Sequence, residues 1–208
     1  ESPFAKGLDA EKYFTYLRNI KKSIELFREK NIPLHAEINV MAQQFGVISG
    51  KMTVEINGRE YTLQQAAKFL ENPERELREE VYRKINERRL KDKDELNNLF
   101  SSLLKKRHEV ALNADFTNYR DYKFKDLGRF DYTKEDCYQF HEAVKLHVLP
   151  LVSQIYEKKK QKLGLDTLRP WDIEAEPEGV KPLTPFKTGE ELLQKTIVCL
   201  EKVNPFFA

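Results

Sequence analysis

Two short stretches come close to a helical zinc-binding motif. That motif, H-E-x-x-H, places two histidines one turn apart on one helix face, with the glutamate as general base. The sequence has H-E at 108–109 followed by Leu112, and H-E at 141–142 followed by Lys145, so neither supplies the second histidine. The histidine at 147 lies about 240° around a helix from the one at 141, too far to share a metal. The histidines are therefore predicted to be ordinary helix-surface or core residues.

The sequence has two cysteines, Cys137 and Cys199, which are too few for a disulfide scaffold or a multi-thiolate zinc site. Either could be a nucleophile, and Cys137 lies in the first turn of a predicted helix, where the dipole lowers a thiol pKa. It also lies on the apolar stripe of that helix. A small buried hydrophobe is therefore the favoured interpretation of Cys137.

Two basic runs, 105–107 and 158–162, are candidate phosphate contacts. Neither has aromatic residues at a stacking spacing, which favours solvated helix faces instead. The sequence also lacks a glycine-rich phosphate loop and a G-x-S-x-G turn. We therefore predict no catalytic, cofactor-binding or metal-ligating residue in these 208 residues.

The overall charge argues against nucleic acid as a partner. Lys and Arg total 36 against 34 Asp and Glu, a formal net charge of +2, whereas nucleic-acid-binding domains are usually strongly basic. Charged residues make up 34% and glycines number only 8, which favours long surface helices. No signal peptide is visible, because residues 1–30 carry charges throughout, and no apolar run approaches the roughly 20 residues of a membrane span. We expect a cytoplasmic location and no membrane partner.

Hydrophobic periodicity predicts helices on both sides of a small hairpin. A stripe from Tyr13 to Phe27 predicts a helix over 8–31 that Pro33 ends, and a second helix over 34–45. Alternating residues at 52–56 and the Asn57-Gly58 pair predict that residues 46–61 form a small β-hairpin. Thr62 and Gln65 then form a capping box.

The remaining sequence is also mainly helical. Residues 74–114 are predicted to be helical, as either one helix or two. Residues 115–132 are predicted to be an aromatic-rich loop. A capping-box signal at 133–136 starts a long helix, kinked at Pro150 and ending near Gly164. A proline-rich connector over 166–187 leads to a last helix, which begins with a capping box at 188–191.

The predicted fold is mainly α, a bundle of long amphipathic helices with one small β-hairpin near residues 46–61. We divide it into an N-terminal helical segment with the hairpin, 1–72, and a second helical segment, 73–208. The first residue is Glu1 rather than Met, and the last residues are Phe206-Phe207-Ala208. We interpret the chain as a piece of a longer or processed protein. We expect it to expose apolar surface and to self-associate.

The order of several motifs resembles the oligoendopeptidase F branch of the thimet-oligopeptidase-like zinc metallopeptidases. The similar stretches, spread over about residues 45–200, are 61–66, 75–79, 111–122, 132–136, 149–151 and 163–172. In that family the H-E-x-x-H helix, a third zinc ligand (a Glu) and an oxyanion-stabilising Tyr and His lie further towards the C-terminus. No residue here matches them, so none can be assigned.

The resemblance implies a scaffold segment upstream of the zinc site. In such peptidases two helical lobes enclose a channel that admits short peptides and excludes folded proteins, and zinc-bound water attacks the peptide bond with a Glu as base. The parent is thus expected to be a zinc metalloendopeptidase acting on short peptides. This segment is expected to be inactive and to hold no zinc. The alternative is a non-catalytic helical interaction module, including one that binds nucleic acid.

Overall fold

The computed structural model describes residues 7–177, 179–180 and 183–207. As predicted, the fold is mainly α with one small two-stranded antiparallel sheet. Its elements are α1 (Phe14–Leu26), α2 (Asn31–Gly50), β1 (Thr53–Ile56), β2 (Arg59–Thr62), α3 (Leu63–Ala67), α4 (Arg75–Lys91), α5 (Lys93–Asn113), α6 (Tyr119–Asp126), α7 (Lys134–Ala143), α8 (Leu149–Lys162) and α9 (Gly189–Val203). The division at residues 72 and 73 stays a prediction.

The hairpin turns at the predicted pair of residues. Asn57 and Gly58 have φ angles of 52° and 74°, as a two-residue turn of type I′ requires. Ile56 pairs with Arg59 across the turn, and β1 turns Val54 and Ile56 onto α4. The predicted hairpin extended too far towards the N-terminus, because residues 46–50 complete α2.

Replacing Gly58 with valine is expected to lower the free energy of unfolding by about 1–2 kcal/mol. A β-branched residue at positive φ brings its Cβ too close to the following carbonyl oxygen. A Cβ at this position would have no other heavy atom within 4 Å, so backbone strain is the whole effect. Urea denaturation should show the loss, and Gly58→Asn should show less of it because Asn tolerates this region. A Gly58→Val chain with unchanged stability would contradict the turn.

Two clusters of buried residues form the core. The first joins the hairpin to the helices around it, through Ile48, Met52, Val54, Ile56, Leu63, Ala66, Val81 and Ile85. The second lies where α1, α5 and α6 meet, and contains Leu26, Val110, Ala111, Ala114 and Tyr122. Buried Asn31 ties α2 to α5, since its Nδ2 donates to the carbonyl of Val110 at 3.0 Å and its Oδ1 accepts from Asn113 at 2.7 Å.

Near the N-terminus the predicted helix boundaries were wrong. The first helix begins at Phe14 because Asp9 accepts hydrogen bonds from the backbone of Glu11 and Lys12, which holds a turn there. Pro33 does not end a helix: it is the third residue of α2. Proline is tolerated there because the first N–H groups of a helix have no partner within it.

Between residues 74 and 132 the structure shows how many helices form in 74–114, and it differs from the loop predicted over 115–132. Residues 74–114 form two helices, α4 and α5, which meet at Asp92. The predicted loop over 115–132 was wrong, because it contains α6. The Asn118 side chain caps that helix by accepting from the Asp121 N–H. Tyr122 is buried with its ring 5.6 Å from that of Phe116.

The long helix after residue 133 is interrupted before the proline. Thr133 and Asp136 form the predicted capping box. A π-helical turn over Val144–Val148 then separates α7 from α8, and Pro150 is the second residue of α8. Gly164, with a φ of 63°, follows the end of α8 as predicted.

The last helix has half of its predicted capping box. Thr188 accepts from the N–H of Glu191 at 3.1 Å. The Glu191 carboxylate, however, accepts from the backbone of Lys187 instead of Thr188. In the described part of the chain, no helix is both long and apolar enough to cross a bilayer.

Candidate functional site

The histidines lie on the helix surface, apart from any metal-binding arrangement. His35, His108, His141 and His147 are all exposed. Among residues 7–177, 179–180 and 183–207, no three His, Cys, Asp or Glu side chains come together as a metal site would require. Zinc therefore does not fit the residues that the structure describes.

The cysteines are unpaired, and Cys137 is not the buried residue that was predicted. Cys137 is half-buried and Cys199 is exposed. The apolar stripe that includes Cys137 is largely exposed, with Phe140 at 67% and Ile155 at 60%. The periodic stripe correctly indicates a helix face. It does not show which element covers that face.

The basic runs are partly neutralised by neighbouring carboxylates. Lys106 forms an ion pair with Glu37, and Lys160 forms one with Glu157 at 2.8 Å. Lys159 lies 3.9 Å from Glu176 in the connector. These contacts are typical of charged helix surfaces.

The one fully buried carboxylate in the described residues belongs to Asp172, between two arginines of α4. Arg75 donates from Nε and an Nη to the two carboxylate oxygens at 3.0 and 2.9 Å. Arg78 donates to the same carboxylate at 2.9 Å. The backbone N–H of Arg169 donates a fourth bond at 2.9 Å. We call Arg75, Arg78 and Asp172 the ion cluster.

Hydrogen bonds satisfy the donors of Arg78 as well. Its Nε donates to the carbonyl of Trp171 at 3.0 Å, and its Nη1 donates to the carbonyls of Asn72 and Pro73 at 2.8 Å. The Trp171 ring packs on Tyr82, 5.6 Å between centroids, and under the guanidinium of Arg83. The ion cluster thus fastens the connector to α4.

The pKa of Asp172 is set by two opposing effects, burial and hydrogen bonding. Burial alone would raise this pKa, but the hydrogen bonds from Arg75, the Arg169 backbone and Arg78 outweigh burial and hold the pKa below its usual value. The same contact with Asp172 raises the pKa of Arg75. The guanidinium of Arg78 thus holds the Asp172 carboxylate and three backbone carbonyls at once, which joins the connector to α4.

The ion cluster is a feature of the fold that was not predicted from the sequence. Arg75, Arg78 and Asp172 all fall within stretches on which the family resemblance rests, 75–79 and 163–172. No spacing rule connects residues that are 97 positions apart. The signal available in the sequence was the carboxylate that directly follows Pro170-Trp171 in the proline-rich connector.

Three helices near the C-terminal end have no buried residue in the described chain. These are α7, α8 and α9. The large apolar side chains exposed on these three helices are Tyr138, Phe140, Leu149, Leu151, Ile155, Tyr156, Leu192, Leu193, Val198, Leu200 and Val203.

The sequence of these helices and of the connector matches a known protein family. The sequence pattern of peptidase family M3 matches residues 68–199, more than half of the chain. The chain belongs to peptidase family M3. The match begins just before α4 and ends within α9, so the ion cluster and the helices α7 and α8 lie in the matched sequence.

Three solved structures share the fold of nearly the whole chain. One structure described as an oligoendopeptidase F has a TM-score of 0.90 at 21% identity, covering 99% of this chain. Another, from Bacillus anthracis strain Ames, has a TM-score of 0.87 at 18% identity and covers 98%. A PZ peptidase A with a bound inhibitor has a TM-score of 0.89 at 19% identity and covers 99%. At these identities the likeness is one of fold.

This chain spans only a little over a third of these solved structures, 36% to 37% of their length. No curated protein sequence matches it.

Proposed function

We propose that this chain is a scaffold segment of a zinc-dependent oligoendopeptidase that hydrolyses short peptides, with the zinc and the catalytic groups outside these 208 residues. The match to peptidase family M3 over residues 68–199 is the observation that carries the proposal. Two further observations support it. The matched structures are almost three times as long as the chain, and the described residues bring no metal-ligand group together.

Within the parent protein, the proposed role of the segment is to hold its helices rigidly. Two buried clusters and the ion cluster fix α4, α5 and the connector relative to one another. A rigid helical wall can restrict access by size, so that short peptides enter and folded proteins do not. We propose a cytoplasmic location as well, with no nucleic-acid or membrane partner.

Zinc content and peptide hydrolysis test the proposal. We expect the 208-residue chain, treated with a chelator and dialysed, to retain no stoichiometric zinc and to cleave no quenched-fluorescent peptide. The protein encoded by the full-length gene should bind zinc and cleave the peptide, and the chelator should abolish the cleavage. Tight zinc in the 208-residue chain would overturn the placement of the metal. A full-length protein without zinc or activity would overturn the function.

A further inference from the structure

The outer edge of β1 carries backbone groups that the hairpin does not use. Ile56 and Arg59 flank the two-residue turn as a hydrogen-bonded pair, and such pairs alternate with non-bonded ones along an antiparallel ladder. Thr53 and Glu55 therefore turn their backbone N–H and C=O groups away from β2. From that side, Lys84 of α4 donates to the Glu55 carbonyl at 2.9 Å. In the described part of the chain, the other three groups have no protein partner.

A groove of about 460 Å³ runs along this edge. One of its walls is β1 with the turn, and the other is the side of α4 that carries Lys84, Glu87, Arg88 and Lys91. We call this space the β1 groove. Successive side chains of a strand alternate between the two faces of a sheet. A strand added to β1 would therefore point every second side chain towards α4, as β1 itself does.

The α4 wall of the β1 groove is mainly cationic, with Lys84, Arg88 and Lys91 against the single carboxylate of Glu87. Lys84 and Arg88 each contact a carboxylate one helical turn away, and their side chains remain 39% and 21% exposed. Ion pairs this close to solvent contribute little, so these cations can also contact a ligand. Lys91 is exposed.

We propose that the β1 groove binds an extended acidic peptide as a third strand, with Asp or Glu at every second position facing α4. In this mode of recognition, main-chain hydrogen bonds provide affinity and alternate side chains provide specificity. The inference goes beyond the proposed function, which assigns these residues to the scaffold alone.

The charges favour this occupant over a second copy of the chain. Pairing two β1 edges would bring two cationic α4 walls together, and like charges across an interface oppose association. Lysine beside a strand edge also disfavours pairing with an apolar strand. An acidic strand would instead be attracted by Lys84.

The fluorescence anisotropy of a labelled peptide measures this binding. The peptide has Glu at every second position and Thr between, and a matched peptide has Gln in place of Glu. We expect the 208-residue chain to bind the Glu peptide at least about tenfold more tightly, because several ion pairs contribute. Added salt should reduce the difference, since it screens exposed charges. The full-length protein, treated with a chelator to prevent cleavage, should show the same preference.

A pair of proline variants separates the two edges of the hairpin. Glu55 and Glu60 face each other across the strands, and each turns its N–H outward, where proline is tolerated. Glu55→Pro should weaken binding about threefold or more, because it removes a donor at the β1 edge. Glu60→Pro makes the same change in charge on the opposite edge and should leave binding unchanged. Circular dichroism shows whether both variants fold.

A charge variant tests the groove without altering the backbone. Lys91→Glu should weaken binding of the Glu peptide and leave that of the Gln peptide unchanged. Equal affinities for the two peptides would overturn the proposal, as would equal effects of the two proline substitutions in folded chains.

Two further outcomes would assign the β1 edge to another occupant. A 208-residue chain that sediments as a dimer, becomes a monomer on Glu55→Pro and binds neither peptide would assign it to a second copy. Binding by the 208-residue chain but not by the full-length protein would assign it to the rest of that protein. Either result overturns the proposal. None of these measurements depends on zinc or peptide cleavage, so the proposed function is tested separately.

Discussion

Replacing Asp172 with alanine is expected to lower the free energy of unfolding by about 3–5 kcal/mol, because removing one partner of a buried ion pair leaves an uncompensated charge. The charge left behind is that of Arg78, whose side chain is only 4% exposed. Arg75, at 39%, can turn towards water and suffers less. Urea denaturation followed by circular dichroism measures the change.

Asp166→Ala is the matched control, since Asp166 is an exposed aspartate of the same connector. Surface substitutions of this kind usually change stability by less than about 0.5 kcal/mol. Equal stability of the Asp172→Ala and Asp166→Ala chains would show that the ion cluster does not support the fold.

The ion cluster is also expected to make the folded chain less stable at low pH. The pKa of Asp172 is lower in the folded chain than the value of about 3.9 in an unfolded one. Its contribution is therefore fully present above about pH 4 and is lost as the pH falls through the folded pKa. An Asp172→Asn chain should lack this part of the pH dependence.

The second large effect is expected from Ile56→Ala, with a loss of about 2–5 kcal/mol. Ile56 is fully buried beside the turn of the hairpin. Truncation there removes apolar contacts with the cluster that includes Val81 and Ile85, and it leaves a cavity. Thermal and urea unfolding measure the loss.

Ile24→Ala is the matched control for this substitution. Ile24 is 70% exposed on α1, and alanine is a better helix former than isoleucine. A change close to zero is expected there. A loss at position 24 as large as that at position 56 would mean that the hairpin cluster is not the core.

Features with local causes could be predicted from the sequence. The turn at Asn57-Gly58 follows from residues that tolerate positive φ, and the caps at Thr62 and Thr133 follow from side chains that reach a backbone three residues away. In each case the residues that make the structure are neighbours in the sequence. The mainly α fold follows in the same way from periodicity.

Features with distant causes could not be predicted. Helix α6 lies in an aromatic segment that has no clear hydrophobic period, so periodicity could not predict it. Its position depends instead on burying Tyr122 against α5. The ion cluster joins residues from separate segments of the chain. The exposure of Phe140 and Ile155 could not be predicted from hydrophobic periodicity either. An apolar stripe shows which side of a helix is apolar, but it does not show whether another element covers that side.

The contact between Asp172 and Arg75 has a kinetic consequence. It closes a loop between residues that are 97 positions apart, and this loop contains α5 to α8 and all but the first residue of α4. Closing so long a loop has an entropic cost that must be met before the contact stabilises the chain, so such contacts are expected to form after the local ones. A bond that is absent from the folding transition state affects mainly the rate of unfolding. The ion cluster should therefore govern how long the folded chain persists more than how quickly it forms.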